Sequence, residues 1–330
     1  MKSSLKSNIY IADEISPEGV NILRKKFNLF SFKGLDNVTL IKKISAVSNL
    51  LTRNAALIIR STRRIDKVIV KKINTLTNIK LICTVSSGFD NIDIEACKEY
   101  KIKVMNVPGA NSISAGEFAI SLILSISKNI IPADYKMKKG IFDNKKFSSI
   151  ELFGKTIGII GVGRVGSYVA KIAKSLGMRI LGNDINPKLK NKYKWIRFVN
   201  LTTLLKSSDI VTIHTPLDKS TQHLINKKNI SYLSRKSILI NCSRGGIIEE
   251  KALISSLKKG KIYYAGLDVF ENEPVFNKNF SKLHNVILTP HIAGKTLESK
   301  KRMSIQTAEN IIKYYSKGGL AQDILNEVKK

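Results

Sequence analysis

The chain is 330 residues long and 43% hydrophobic, enough apolar material for two domains with separate cores. Its 56 Lys and Arg against 25 Asp and Glu give a formal net charge of +31, but the lysines are spread over the whole length. Clusters such as Lys136-Met137-Lys138-Lys139 and Lys300-Lys301-Arg302 fit solvated helix faces, so neither nucleic acid nor a membrane is an expected partner, while the positive field would concentrate small anions.

The opening MKSSLKSNIYIADEIS lacks the unbroken apolar run of a signal peptide, and no stretch attains the roughly 18 apolar residues of a membrane span. Asn8–Ala12 reads as a strand and Pro17–Lys26 as a helix with proline near its start. Ala55–Arg60 is a strand, Ile65–Ile73 a helix, Lys80–Val85 a strand, Ile92–Tyr100 a helix and Ile102–Val107 a strand. Such alternation implies a parallel sheet covered by helices. Pro108-Gly109 then breaks the chain, and Asn111 or Ser112 can cap a long helix running to about Lys128. A second series follows: strand 155–160, helix 164–176, strand 178–183, and strands near 209–213, 237–241, 262–268 and 285–288. The last helix spans about 298–316. The pattern is α/β, with two doubly wound parallel-sheet domains.

The second series opens with Gly161-x-Gly163-x-x-Gly166, between an apolar strand and an amphipathic helix. Gly161 allows the tight turn, Gly163 lets the backbone approach a pyrophosphate, and Gly166 lets helix and strand pack closely. The helix N-terminus supplies free N–H groups for the diphosphate. Asp184, 184 − 166 = 18 residues beyond the last glycine, ends the next strand and would accept hydrogen bonds from ribose hydroxyls. Its charge would repel a 2′-phosphate, so the expected cofactor is NAD rather than NADP.

Three loops that follow apolar strands carry the remaining chemistry. They are Asn241-Cys242-Ser243-Arg244-Gly245-Gly246, Gly266-Leu267-Asp268 through Glu273-Pro274, and Leu288-Thr289-Pro290-His291. An arginine, an acidic cluster and one of only four histidines thus lie at the strand ends where open α/β sheets bind ligands. The three cysteines, Cys83, Cys97 and Cys242, are an odd count that reads as reduced thiols in the cytoplasm. With no base beside it in sequence, Cys242 is a small packed residue rather than a nucleophile.

These blocks, in this order, resemble the D-isomer-specific 2-hydroxyacid dehydrogenase family, from Ile11-Ala12-Asp13 to the last helix. The resemblance implies a Rossmann NAD-binding domain, 107–292, inserted into a flavodoxin-like substrate domain, 1–106 and 293–330. It makes Arg244, Glu273 and His291 the catalytic set. His291 would exchange the proton of the C2 hydroxyl, Glu273 would orient the imidazole, and Arg244 would clamp the substrate carboxylate. Arg164 and Val165 would join the three glycines and Asp184 around NAD. Thr215, Cys242 and Ser243 would line the nicotinamide, Asp268 would bond its carboxamide, and Ala293, Gly294 and Ser87 would complete the shell. Arg60-Ser61 and Ser86-Ser87-Gly88 would face the substrate, with Ser86 standing where the family usually has glycine. The resemblance also implies a homodimer through the NAD domain, packed by the helix at about 112–128, and domain closure hinged near Asn106–Pro108 and Ile292–Gly294.

Within the family, several segments are most similar to the 3-phosphoglycerate dehydrogenases of serine biosynthesis. They are Arg60-Ser61, Val104-Met105-Asn106-Val107-Pro108-Gly109-Ala110-Asn111-Ser112-Ile113-Ser114-Ala115-Gly116-Glu117, and Lys145-Lys146-Phe147 before Glu151-Leu152-x-Gly154-Lys155-Thr156. Arg60 is the candidate to meet a substrate phosphate. Glyoxylate or hydroxypyruvate reductases and D-lactate-like enzymes are the alternatives. Members of the fold recruited as NAD-sensing corepressors offer a non-enzymatic one.

Overall fold

Short β-branched runs can bury both of their faces only in a parallel sheet covered by helices, and this chain builds two such sheets. A computed structural model describes residues 6–48, 54–145 and 147–316. The expected segment around Lys146 and the outermost ends of the substrate domain therefore lie partly outside the described residues.

The first sheet comes from β1 (Asn8–Ile11), α1 (Pro17–Arg24), β2 (Asn28–Ser31), α2 (Asn37–Ser48), β3 (Ala55–Ile59), α3 (Lys67–Leu76), β4 (Ile79–Thr84), α4 (Ile94–Glu99) and β5 (Lys103–Met105). All its pairings are parallel, in the order β2-β1-β3-β4-β5, which is the flavodoxin-like order. Every residue of β1 and β3 is buried. The two-residue period therefore feeds two cores: Ile9, Ile11, Ala56 and Ile58 on one face, Tyr10, Leu57 and Ile59 on the other. Asp66 and Asp93 start α3 and α4 by accepting the N–H groups of Ile69 and Ala96, at 3.0 and 2.9 Å.

The chain then forms α5 (Ser112–Ser127), α6 (Ile130–Lys138), β6 (Thr156–Ile160), α7 (Arg164–Ser175), β7 (Arg179–Asn183), α8 (Lys188–Lys192), β8 (Arg197–Phe198), α9 (Leu201–Ser207), β9 (Ile210–Ile213), β10 (Ile238–Asn241), α10 (Glu250–Lys258), β11 (Tyr264–Leu267) and β12 (Val286–Leu288). The sheet order is β12-β11-β10-β9-β6-β7-β8, again all parallel. Counted from its own first strand this is 3-2-1-4-5-6-7, a Rossmann winding extended by one strand. Because β6 pairs with both β7 and β9, the winding reverses there, and the loops after β6 and β9 flank a crevice. Ala119, Leu122, Ile123 and Ile126 of α5 close one face of this sheet over Ile157 and Ile240.

The last described helix, α11 (Leu297–Ser316), returns to the first unit. Met303, Ala308, Ile311 and Tyr314 enter the core that holds Leu23 and Ile9, and Ser304 Oγ accepts the Ser16 N–H at 2.9 Å. The contacts divide the chain into Met1–Asn111 with Lys295–Lys330, and Ser112–Gly294. The breaks lie later than 106/107 and 292/293 for local reasons. Val107 and Ala110 are packed in the first unit's core, and Asn111 accepts the Ser87 hydroxyl. At the other end the Ala293 N–H is held by Asp268.

Ile311 is fully buried. Replacing it with alanine is expected to destabilise the first unit by about 2–5 kcal/mol. Hydrogen exchange should then quicken in β1 and β3 and stay unchanged in β6 and β9; unchanged protection in β1 and β3 would show that α11 is not part of that core.

Candidate active site

At the crevice of the second unit, Gly161 turns the chain out of β6 with φ 86° and abuts the His214 backbone at the end of β9. A Cβ on Gly166 would sit 2.0 Å from the Gly161 carbonyl oxygen, so only glycine lets α7 start this close to the strand. Space is open at Gly163, the N-cap, and Arg164 beside it is exposed while Val165 packs on the core. The first N–H groups of α7 thus face outwards beside a backbone with no side chain in the way. Asp184 follows β7. Its Oδ2 accepts the Val162 N–H at 2.7 Å and its Oδ1 the Asn186 N–H at 2.8 Å, which fixes the carboxylate while leaving acceptor capacity on both oxygens.

Thr215 lies across from this cradle. Its Oγ1 is buried and has no hydrogen-bond partner among the described residues. An orphaned hydroxyl, an open glycine N-cap and a spare carboxylate at one crevice fit a dinucleotide. Next to Thr215, burial pulls the His214 imidazole down to about 4, and its Nε2 meets Thr212 Oγ1 at 2.9 Å. At neutral pH His214 is therefore an uncharged packing group.

The three loops after β10, β11 and β12 bring the other candidates together. His291 Nδ1 and Glu273 Oε2 are 2.5 Å apart. Glu273 Oε1 also accepts the Phe270 N–H at 2.9 Å. Burial pushes the Glu273 carboxyl up, but the His291 and Phe270 hydrogen bonds and the positive charges of His291 and Arg244 outweigh it and hold it below its ordinary value. An ionised carboxylate can only accept, so the proton between the two belongs to Nδ1, and Nε2 is the basic nitrogen of neutral His291. Arg244 is partly buried, and its Nη1 donates to the Ser243 carbonyl at 2.7 Å. Asn241 supports that turn: its Oδ1 accepts from the Ser243 N–H and hydroxyl, and its Nδ2 donates to the Arg244 carbonyl.

Several of these residues are committed to partners within the protein. Asp268 is fully buried and its carboxylate already accepts from Thr289 Oγ1 at 2.6 Å, the Ile292 N–H at 2.9 Å and the Ala293 N–H at 2.8 Å. It anchors the His291 loop and keeps about one of its four acceptor positions for a carboxamide. The Ala293 N–H is spent on that anchor. Burial, and then the Asp268 charge, push the Cys242 thiol up, which fits a packed residue and not a nucleophile. In the first unit, the Ser87 hydroxyl faces Asn111 Oδ1 at 2.6 Å and accepts the Gly109 N–H, turned towards the 106–111 segment rather than towards a ligand. Ser86 Oγ bonds Thr84 and the Gly88 carbonyl, at 2.7 and 2.6 Å, so this serine stiffens the loop where a glycine would leave it loose. The Arg60 side chain lines a cleft of about 420 Å³ with Glu14, Val85, Lys300 and Lys301, and Ser61 beside it is exposed.

Sequence reasoning passed over a second acidic site behind the Glu273 loop. Glu250 and Glu271 exchange bonds, each carboxylate accepting the other's backbone N–H at 2.9 and 3.1 Å, and His223 Nε2 meets Glu271 Oε1 at 3.2 Å. The partners are 21 and 48 residues apart, and no local spacing signals them.

The fold and the glycine crevice define a Rossmann dinucleotide-binding unit. The family model described as D-isomer specific 2-hydroxyacid dehydrogenase, NAD binding domain, matches residues 120–293. The chain is 38% identical to D-3-phosphoglycerate dehydrogenase of Methanocaldococcus jannaschii over 96% of its length, and spans 59% of that relative. It is 37% identical to hydroxypyruvate reductase of Thermotoga maritima, covering 92% of this chain and 97% of that one. The crystal structure of a glyoxylate reductase from Paecilomyes thermophila superposes with a TM-score of 0.85 at 25% identity, over 98% of both chains. The chain belongs to the D-isomer specific 2-hydroxyacid dehydrogenase family, and its cofactor is NAD.

His214 generates a pH prediction. The unfolded chain takes up a proton on this imidazole near 6.5 and the folded chain only near 4. Unfolding therefore binds a proton between those values, and stability that is full above about pH 6.5 is lost as the pH falls towards 4, by about 2–3 kcal/mol. In urea titrations from pH 7.5 to 4.5, His214→Asn is expected to flatten the slope. An equally steep slope in the variant would show that this histidine does not carry it.

Proposed function

We propose that the chain oxidises the C2 hydroxyl of a small D-2-hydroxy acid, and reduces the corresponding 2-oxo acid, through Arg244, Glu273 and His291. The observation that carries this reading is the 2.5 Å His291–Glu273 pair beside Arg244 at the strand ends of a dinucleotide-binding sheet. NAD, when bound, supplies the hydride acceptor. The N–H groups opening α7, with Gly161, Gly163 and Gly166, hold its diphosphate, Asp184 its ribose, and Thr215, Ser243 and Gly294 its nicotinamide end.

His291 Nε2 takes the hydroxyl proton as C2 is oxidised and returns it in reduction. Glu273 fixes the tautomer that leaves Nε2 basic and stabilises the imidazolium that forms. Arg244 grips the carboxylate and draws charge onto the C2 oxygen, and its fixed fork gives the acid one orientation. In the first unit, Arg60 and Ser61 with the amides of Ser86, Ser87 and Gly88 bind the acid's anionic groups.

The leading substrate is 3-phosphoglycerate, which would place the chain in serine biosynthesis. It is supported by the Methanocaldococcus relative and by Arg60, whose guanidinium makes no hydrogen bond or ion pair among the described residues. Hydroxypyruvate or glyoxylate is the competing reading, favoured by the equally similar Thermotoga relative. A panel decides: NAD reduction with 3-phosphoglycerate, D-glycerate and D-lactate, and NADH oxidation with hydroxypyruvate and glyoxylate. Highest kcat/KM with 3-phosphoglycerate is expected. Arg244→Ala and His291→Ala are each expected to lower kcat by about 10²–10⁴-fold, with NAD affinity kept in His291→Ala. Turnover like the parent protein's in either variant would overturn the roles.

The chain is proposed to act as a homodimer through the second unit, in the cytoplasm. None of the residues of α6 is buried, and Ile130, Ile131, Tyr135 and Met137 lie 47–63% exposed; apolar surface of this kind marks an interface. The three unpaired cysteines fit a reducing compartment. Gel filtration at working concentration is expected to give a dimer that Ile131→Glu with Tyr135→Glu dissociates. A clean monomer for the unaltered chain would refute it.

A further inference from the structure

The 60–65 segment of the first unit holds a group that the chemistry above does not use. Arg63 is almost buried, its side chain 10% exposed, and it is paired with Asp13, 17% exposed, at 2.8 Å. All three guanidinium nitrogens are engaged. Nε and Nη2 donate to the Asp13 carboxylate, Nη2 also to the Leu35 carbonyl at 3.0 Å and the Ala12 carbonyl at 3.3 Å, and Nη1 to Asn37 Oδ1 at 2.9 Å. A buried charge with this many partners is expensive to assemble and fixes its surroundings once assembled.

What it fixes is Arg60. Asp13 Oδ2, held by Arg63, accepts the Arg60 N–H at 2.9 Å. Asn91 Nδ2 donates to the carbonyls of Arg60 and Arg63, at 3.3 and 2.7 Å, and the Asn91 carbonyl accepts the Ile65 N–H at 2.8 Å. Arg60 is thus gripped at both backbone polar groups. Asn91 ends the loop that begins at Ser86, so one network joins the ends of β1, β3 and β4.

We propose that Arg63, Asp13 and Asn91 form a clamp that positions Arg60 and the Ser86–Gly88 loop for anion binding, and so sets affinity for the acid substrate without touching it. The inference rests on the reading that these two loops bind the acid. A lysine at 63 can still meet Asp13 but lacks the planar fork that also reaches Leu35, Ala12 and Asn37.

The test uses the full chain with NAD and 3-phosphoglycerate or, if that acid is not turned over, the fastest acid of the panel. Arg63→Lys is expected to raise KM for the acid about tenfold, the equivalent of about 1.4 kcal/mol, with kcat and KM for NAD within about twofold, the pattern of lost substrate binding. In an Arg60→Ala background the same change is expected to add clearly less than tenfold, the remainder acting through the Ser86–Gly88 loop. Asp13→Asn, which keeps an acceptor for the Arg60 N–H, is the second variant, and hydrogen exchange over 58–66 should quicken in both. An Arg60→Ala KM effect with none in Arg63→Lys or Asp13→Asn overturns the clamp alone. No KM effect in Arg60→Ala overturns the loop reading and the clamp with it. A parallel fall of kcat and rise of both KM values makes Arg63 a general structural residue and also overturns the proposal.

Discussion

A single buried carboxylate organises the chemistry-bearing end of the larger sheet. Asp268 sits at the end of β11. Its N–H donates to the Asn241 carbonyl that ends β10, and its carbonyl accepts the N–H of His291. Its side chain takes three further donors from the segment after β12. Removing a carboxylate from water costs several kcal/mol, and hydrogen bonds to a charged group return about 1.5–3 kcal/mol each, so the three bonds offset the burial. The result is a loop in which His291 is held with φ 52°, a left-handed conformation that costs a non-glycine residue on the order of 1–3 kcal/mol. The anchor over-determines the backbone on which the imidazole that meets Glu273 is carried.

The Glu273 side is built by the opposite device. Its carboxylate is stabilised by the His291 ring it is paired with, by the Phe270 N–H and by the charge of Arg244. Behind it, Glu250 and Glu271 bond each other's backbones, tying the start of α10 to the Glu273 loop. Burial, with the Glu271 charge adding to it, raises the Glu250 carboxyl against the backbone bond that lowers it.

Much of this was legible in the sequence, for a reason that also sets the limit. Buried strands such as Ala55–Ile59 and Ile238–Asn241 are runs of β-branched and aliphatic residues whose signal is local. The same holds for the glycine turn and for Arg244, Glu273 and His291, which stand at fixed offsets from strands. β2 gave no such signal, since adjacent Leu29 and Phe30 lie between exposed Asn28 and Ser31 at a sheet edge. α2 was hidden because Val38, Thr39, Ile41 and Ile44 mimic strand composition, although Asp36 caps it on the Val38 and Thr39 N–H groups. Arg63 was illegible for a deeper reason: its partners Asp13, Leu35 and Asn37 are 50, 28 and 26 residues away. An arginine in a basic chain reads as surface until the fold closes around it.

That last point bears on the surplus charge. Lys188, Lys190 and Lys192 lie on α8, Lys136 and Lys138 on α6, and neither helix buries a single residue. At physiological ionic strength exposed charges are screened over about 8 Å, so scattered lysines of this kind can raise the encounter rate with an anionic acid and add little to its affinity. In the proposed function affinity falls to cations held in place, and the fold holds them by different means: Arg244 by a turn braced on Asn241, Arg60 by a backbone gripped between Asp13 and Asn91. In both cases the neighbouring peptide groups are fixed first, so that a flexible side chain begins from a rigid base and less of its freedom remains to be lost on binding. The number of positive charges is therefore a poor guide to where an anion is gripped, and the hydrogen bonds that brace Arg244 and Arg60 are the reason the proposed site is placed at those two.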